Sequence, residues 1–212
     1  MVKTARQIRK LQPYTCDVGA EIQDAISEDR NVILEGTQGT FLSLYHGTYP
    51  YVTSKDVTAS QTCADVGVGP TQVNDVIVIF KAFVTRVGEG PLEGQLNREE
   101  VIQRGWMERG TVTGRERRAA PFDLKLARRA VQLNGATQIA LTKLDALFPS
   151  CKGSRDAKRL PREARDFISK IEEQTGIPVS LIGTGPGDEE IIDMRAAAAL
   201  AKPRPSIVAR GR

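Results

Sequence analysis

The 212-residue chain is short of several things, and each shortage excludes a class of function. It has three cysteines (Cys16, Cys63, Cys151), far apart and without a Cys-x-x-Cys pair. That argues against a disulfide framework, a thiolate metal site and a thiol nucleophile, and it fits a reduced, cytoplasmic compartment. There is one histidine, His46. A lone histidine invites a general-base role, and its plain alternative is a turn residue before Gly47. Aromatic residues are 5% of the chain, and their largest group, Phe41, Tyr45, Tyr49 and Tyr51, lies in one loop rather than among the arginines. A base-stacking surface for nucleic acid is therefore not expected. No uncharged apolar run approaches the roughly 20 residues of a membrane span. The basic segment Met1 to Lys10 has no apolar stretch after it, so no signal peptide is expected.

What remains is an ordinary globular composition, 40% apolar and 26% charged. The length suits one large domain with a substantial core. Thirty basic against 26 acidic residues leave a net +4, a mild bias toward anionic partners. Basic residues cluster at Arg115, Arg117 and Arg118, with Arg128 and Arg129 behind, and again on an Ala/Pro-rich tail. Residues 1–200 read as one body and 201–212 as a basic, weakly ordered end.

Helices are expected over Asp17 to Asp29, over Arg98 to Gln103, over Asp123 to Asn134, and over Pro161 to Thr175. The first carries Val18, Ile22, Ala25 and Ile26 on one face, and the last Ala164, Phe167, Ile168 and Ile171. Strands are expected at Val32 to Leu34, Val76 to Phe83, Ile139 to Leu141, and Val179 to Ile182, the last of the chain. The run Val76 to Phe80 lacks alternation, so both its faces should be covered, as in a parallel sheet. Gly110 to Ala120 reads as a loop. The polar stretch after Gly36 holds Phe41, Tyr45, Tyr49 and Tyr51, which argues for function over disorder. Strands alternating with helices give an α/β fold with a central mixed or mostly parallel sheet flanked by helices.

In such sheets ligands bind at the carboxyl ends of strands, so four loops matter. Glu35-Gly36-Thr37-Gln38-Gly39-Thr40 lets backbone approach a ligand closely and offers a Gln that donates and accepts. Its alternative is a tight turn with Gln38 in water. Thr85 to Pro91 reads either as a site loop or as a Gly/Pro turn. Thr111 to Arg118 presents guanidinium forks suited to carboxylates or phosphates, or else a solvated charge run. Thr142-Lys143-Leu144-Asp145 echoes an Asn-Lys-x-Asp guanine reader, in which the Asp accepts from the ring N1–H and the exocyclic amine. Gly183-Thr184-Gly185-Pro186 offers backbone to a base or ribose.

Several motifs together resemble one family, adenylosuccinate synthetase. They are Glu35 to Thr40, His46-Gly47-Thr48-Tyr49-Pro50-Tyr51-Val52-Thr53-Ser54, Thr85-Arg86-Val87-Gly88, Thr113-Gly114-Arg115, Arg129 to Asn134, Thr142 to Asp145, and Gly183 to Pro186. The likeness runs over about residues 5–195, and the short stretch after Asp145 is similar to the compact archaeal members. The resemblance implies a fold related to phosphate-loop nucleotide-binding proteins. It implies a ligase that joins inosine monophosphate (IMP) to L-aspartate with GTP and Mg²⁺, in the route to AMP. GTP phosphorylates the purine 6-oxygen, and the aspartate amine then displaces that phosphate. Positioning and charge stabilisation should dominate such a reaction.

Residue by residue, the resemblance implies that Gln38 lies beside the purine and supports catalysis. Thr53 would hold the IMP phosphate, and Val87 would line the ribose pocket. Val112, Thr113, Gly114, Arg115 and Arg117 would recognise aspartate, with Arg115 also reaching IMP and Arg117 the transferring phosphoryl of GTP. Lys143 and Asp145 would read guanine, flanked by Gly183 and Gly185. No metal ligand is assigned in this chain. A homodimer is implied, with no nucleic-acid or membrane partner.

Three departures are visible: Val112 for a threonine, Glu116 within the arginine run, and Gly183 for a serine. The larger one is that the family's glycine-rich phosphate loop, its catalytic Asp and its catalytic His have no counterpart; no Gly-Lys-Gly or Gly-Lys-Ser/Thr occurs. The chain thus looks like the C-terminal part of a longer enzyme, inactive alone. The alternatives are a non-catalytic purine-nucleotide binder, half of a split enzyme, or a relative that uses deoxyguanylate (dGMP) to make a diaminopurine nucleotide. Loss of upstream strands should expose a sheet edge.

Overall fold

A computed structural model describes residues 7–111 and 114–195. Two sheets organise them. In the larger, β1 (Ile77–Lys81), β4 (Gln138–Thr142) and β5 (Val179–Gly183) run parallel, and β6 (Ile191–Asp193) closes antiparallel on β5. The smaller pairs β2 (Phe83–Arg86) with β3 (Arg118–Pro121), antiparallel. The helices are α1 (Val18–Ser27), α2 (Ala59–Asp65), α3 (Arg98–Gln103), α4 (Leu124–Asn134), α5 (Leu144–Leu147) and α6 (Arg162–Thr175). This is the expected α/β arrangement of a mixed, mostly parallel sheet flanked by helices.

Local chemistry accounts for the helix ends. Asp17 accepts from the Ala20 amide to start α1, Asp123 accepts from Lys125 and Leu126 to start α4, and Asn97 with Glu100 forms a reciprocal cap on α3. Gly135 and Gly176 end α4 and α6 in the left-handed conformation, which a glycine adopts without steric cost. The main core gathers Ile139, Leu141, Leu144, Ile171, Val179, Ile182 and Ile192, with Phe167 and Ile168 of α6 packed on it. A second, smaller core holds Phe83, Val101, Trp106 and Ala119.

The structure corrects several expectations. Val32 to Leu34 is not a strand, and Ile33 is 90% exposed. No strand among the described residues lies beside it to pair with. The run Val76 to Phe83 is broken at Ala82, where the chain leaves the parallel sheet and pairs with β3 instead. Ile79 is 72% exposed, so β1 is not covered on both faces. Among the described residues it is an edge strand, pairing only with β4. Gly110 to Ala120 is not all loop, since β3 occupies its end, and β5 is followed by β6. The apolar face of α1 buries none of its residues among the described parts.

The polar stretch after Gly36 has little regular structure but is tightly tied. Ser43 Oγ donates to Asp56 Oδ1 (2.7 Å) and accepts from the amides of Tyr45 and His46 (both 3.1 Å). Asp56 also accepts from the Val57 and Thr58 amides and the Thr58 hydroxyl. Asn134 at the end of α4 holds both sides, accepting from the Ala59 amide (2.9 Å) and donating to Thr40 Oγ1 (3.1 Å). Gly47 is enclosed: a methyl there would lie 2.5 Å from the Phe41 carbonyl oxygen and 2.8 Å from Val52 Cγ1.

Gly47→Ala is therefore expected to destabilise the chain by about 1–3 kcal/mol, read as a lowered urea midpoint. Burial raises the Asp56 pKa, but its four donors more than offset that and leave it below the ordinary 3.8. A depressed carboxylate contributes stability that is fully present above the unfolded value and lost as pH falls through the folded one. Unfolding titrations should show stability declining below about pH 4, and Asp56→Asn should flatten that decline while lowering stability near neutral pH.

Candidate functional site

The parallel pairing places three strand ends in a row. Lys81, the last residue of β1, is registered opposite Thr142, the last of β4. Ile182 of β5 is opposite Leu141, and a methyl on Gly183 would lie 3.5 Å from Thr142 Cα. The loops that follow β4 and β5, Lys143 to Asp145 and Thr184 to Pro186, therefore leave the sheet side by side. Thr142 Oγ1 donates to the Phe80 carbonyl (3.0 Å), so its hydroxyl ties strand ends together.

Lys143 adopts φ +62°, in the left-handed region, and is exposed. Leu144 next to it is fully buried and anchors α5, on whose first turn Asp145 sits half-buried. The Trp106 indole N–H donates to the Ala146 carbonyl (3.1 Å), and its ring stacks on Phe83 at 4.5 Å. The second core thus fixes α5 against β2. Gly183 and Gly185 flank Thr184, which is fully buried and donates to the Ser154 carbonyl (2.7 Å).

The arginine segment is a hairpin. The Arg117 amide donates to the Glu108 carbonyl (2.8 Å) and the Gly110 amide to the Arg115 carbonyl (2.9 Å); Gly114 turns the tip at φ +63°. Val112 and Thr113, both expected to recognise aspartate, lie outside the described residues. Strand alternation then divides the charges. Glu116 pairs with Arg109 (2.8 Å) and Arg98 (3.4 Å), which hold its carboxyl below the ordinary range, Arg98 foremost. Arg118 is committed to the structure: it donates to the carbonyls of Gly88 and Gly90 and to Gln95. Arg115 is exposed near the tip.

Arg117 turns the other way, toward the strand ends. Its Nη1 is 3.8 Å from Glu108 Oε2, and its buried Nε has no hydrogen-bond partner among the described residues. Glu108 Oε2 accepts from Lys81 Nζ at 2.8 Å, and Lys81 also donates to Thr85 Oγ1. Burial lowers the Lys81 pKa; Glu108 opposes that, and the charges of Arg117 and Lys143 add to it. Lys81 and Glu108 escaped the reading of the sequence. The signal for Lys81 was its place directly after an apolar strand. Glu108 had none, because only the hairpin brings it under Arg117.

The remaining expected residues lie on loops linked to this centre. Val87 directly follows β2 and is 38% exposed. Arg86 crosses from β2 to the His46–Ser54 loop, donating to Thr48 Oγ1 (3.1 Å) and the Tyr51 carbonyl (2.8 Å). Thr53 Oγ1 is within hydrogen-bond reach of the Leu42 and Lys55 carbonyls (2.8 and 3.0 Å), so its proton is held inside its own loop. Gln38 is exposed at φ +71°, a strained conformation for a side chain larger than glycine. A hollow beside it is lined by Glu35, Gly36, Thr37, Lys55, Asp56 and Thr62, among others. No hydrogen bond or ion pair among the described residues joins Gln38 or Thr53 to Lys143 or Asp145. His46 is exposed, and burial, with a smaller push from the Asp145 charge, raises the pKa of the enclosed Cys151 thiol. Among the described residues no three His, Cys, Asp or Glu side chains converge as metal ligands.

Both left-handed non-glycine positions at this site carry testable strain. Lys143→Gly is expected to raise stability by about 0.5–1 kcal/mol in urea unfolding, because the left-handed penalty for a side chain exceeds glycine's entropic cost. An unchanged or lowered midpoint would show that the Lys143 side chain contributes more than the strain costs.

Comparison with known proteins follows the same lines. The family model described as adenylosuccinate synthetase matches residues 1–150. The adenylosuccinate synthetase of Thermococcus onnurineus is 54% identical over 195 residues, covering 92% of this chain and 58% of that protein. That of Methanocaldococcus jannaschii is 53% identical over 195 residues, 92% of this chain and 56% of its own. Among solved structures, a fully ligated adenylosuccinate synthetase from Plasmodium falciparum superposes with a TM-score of 0.80 at 24% identity, covering 89% of this chain and 56% of that one. A cyanophage S-2L succinoaminodeoxyadenylate synthetase bound to dGMP and dATP gives 0.65 at 26% identity, covering 85% and 52%. The chain spans somewhat over half the length of the curated relatives it matches, and it belongs to the adenylosuccinate synthetase family.

Proposed function

We propose that this chain supplies the guanine-, aspartate- and part of the IMP-recognition surfaces of an adenylosuccinate synthetase, a ligase of purine (AMP) biosynthesis. The observation that carries the reading is the row of strand ends: Lys143 and Asp145 beside Gly183, with Arg117 turned toward Lys81. In this reading Asp145 accepts from guanine of GTP, the Lys143 stem covers the base, and Gly183 and Gly185 give backbone approach. Val112, Thr113, Gly114, Arg115 and Arg117 receive L-aspartate, with Arg117 also reaching the transferring phosphoryl. Gln38, Thr53, Val87 and Arg115 receive IMP; Thr53 would turn its hydroxyl from its own loop to the phosphate.

The reaction needs Mg²⁺ with GTP. The described side chains do not form a cluster that fits the ion, so no residue here is assigned to it. Residues 1–200 act as the C-terminal portion of the synthetase domain, with 201–212 a basic tail. The active assembly is a cytoplasmic homodimer that has no nucleic-acid or membrane partner; among the described residues no helix is long and apolar enough to cross a membrane. The use of dGMP in place of IMP is the weaker reading, since the curated relatives at about half identity carry the adenylosuccinate name.

The test is adenylosuccinate formation by the folded 212-residue chain with GTP, IMP, L-aspartate and Mg²⁺. No turnover is expected from the chain alone, because it contains no glycine-rich phosphate loop, and turnover is expected when the unmatched portion of the Thermococcus protein is added. Turnover without that addition would overturn the assignment of the phosphate chemistry elsewhere. Asp145→Asn should weaken binding of a fluorescent GTP analogue about 100-fold, for loss of charge-assisted bonds to two base N–H groups. An equal affinity for GTP and ATP analogues in the unsubstituted chain would sink the guanine assignment.

A further inference from the structure

The loop after β5 is closed on itself by one residue, Glu190. β5 and β6 pair with Gly183 opposite Ile191, so Thr184 and Glu190 are the next two residues outward. The Thr184 amide donates to the Glu190 carbonyl (2.9 Å), and the Glu190 amide donates to the Gly187 carbonyl (3.0 Å). The side chain then turns back, and Glu190 Oε2 accepts from the Gly187 amide at 2.8 Å. Its carboxylate lies where a side chain on Gly185 would have to be. A methyl on Gly185 would sit 2.4 Å from both Cδ and Oε1 of Glu190, well inside contact distance. The loop is tied on its other side as well, since the Gly153 amide donates to the Thr184 carbonyl (3.1 Å). Glu190 is only half-buried, yet its backbone and its side chain both bind the loop. Folding a glutamate back in this way costs rotamer entropy that a solvated carboxylate would keep.

We propose that Glu190 is the positioning residue of the guanine-reading loop. The inference rests on reading Gly183 and Gly185 as neighbours of guanine. β5 fixes the start of that loop, with Gly183 packed near Thr142. Glu190 fixes its end, and so sets how far Gly183 to Pro186 stand from Asp145. Gly185 is a glycine to admit the Glu190 carboxylate as well as to approach the base. Without that carboxylate the Gly187 amide loses its acceptor and Gly185 loses the group packed against it. A loop that reads a base works by spacing, so its drift weakens guanine and spares ligands read by other loops.

Fluorescent GTP and ATP analogues, titrated into the folded full chain, are the probes, and IMP is the control. The unsubstituted chain should prefer the GTP analogue. Glu190→Ala should weaken that analogue about tenfold, for one lost hydrogen bond to a charged acceptor, and leave the affinities for the ATP analogue and IMP in place. Glu190→Gln keeps an acceptor for the Gly187 amide and should recover most of the preference. Glu190→Asp, one methylene shorter, should not. A second measurement needs no ligand: Gly185→Ala should lower the urea midpoint of the unsubstituted chain, and lower it much less in Glu190→Ala, where the carboxylate is already gone. Fully additive midpoints would overturn the proposed contact. A GTP preference that survives Glu190→Ala would overturn the positioning role and leave the guanine reading standing. So would a loss shared equally by both analogues and IMP, the mark of a merely structural residue. No preference for GTP over ATP in the unsubstituted chain would sink the guanine reading and the proposal with it.

Discussion

The parallel pairing of β4 between β1 and β5 is the constraint on which the rest depends. β4 is buried along its centre, with Ile139, Ala140 and Leu141 closed off from water, so it accepts a strand on each side and packing on both faces. Parallel direction makes all three strands end at the same edge of the sheet. That puts Lys81, Lys143 and Gly183 within one neighbourhood although they are separated by scores of residues in the chain. Two reinforcements hold the ends in step: the Thr142 hydroxyl on the Phe80 carbonyl, and the Trp106 indole on the α5 carbonyl of Ala146. Both are partly buried hydrogen bonds, and their loss would leave a polar group short of its partner.

The arginines show how one charged run serves different ends. Arg86 and Arg118 each donate to backbone carbonyls of neighbouring loops and hold those loops in place. Glu116, a departure from the family's arginine run, pairs outward with Arg98 and Arg109 and braces the base of the hairpin. Arg117, one residue along, points to the opposite side and meets a carboxylate it does not reach. A two-residue period thus sets Arg117 on the side of the strand opposite to Glu116 and Arg118.

Much of this was legible in the residues. The helices over Arg98–Gln103, Leu124–Asn134 and Arg162–Thr175 follow from apolar spacing, acidic or amide caps, and Gly135 and Gly176 at their stops. The Lys143-x-Asp145 and Gly183-x-Gly185 pairs were readable as candidate ligand loops because each follows a short apolar strand. Elsewhere local reading failed for identifiable reasons. Val32 to Leu34 has strand composition but no neighbour to pair with, and a strand exists only through its partner. The split at Ala82 depends on β3, which has an Arg-Ala-Ala-Pro sequence without a strand's apolar alternation.

The sequence by itself determined the family, the α/β class and the chemical character of each loop, because those reside in residue types and short spacings. Tertiary structure alone decided which charges meet. Glu108 lies between Met107 and Arg109 with nothing local to mark it, and it acquires its place beside Lys81, 27 residues away, only when the hairpin folds back over the end of β1. The reason is physical: an ion pair is set by distance and dielectric, and both are properties of the folded chain rather than of its order of residues.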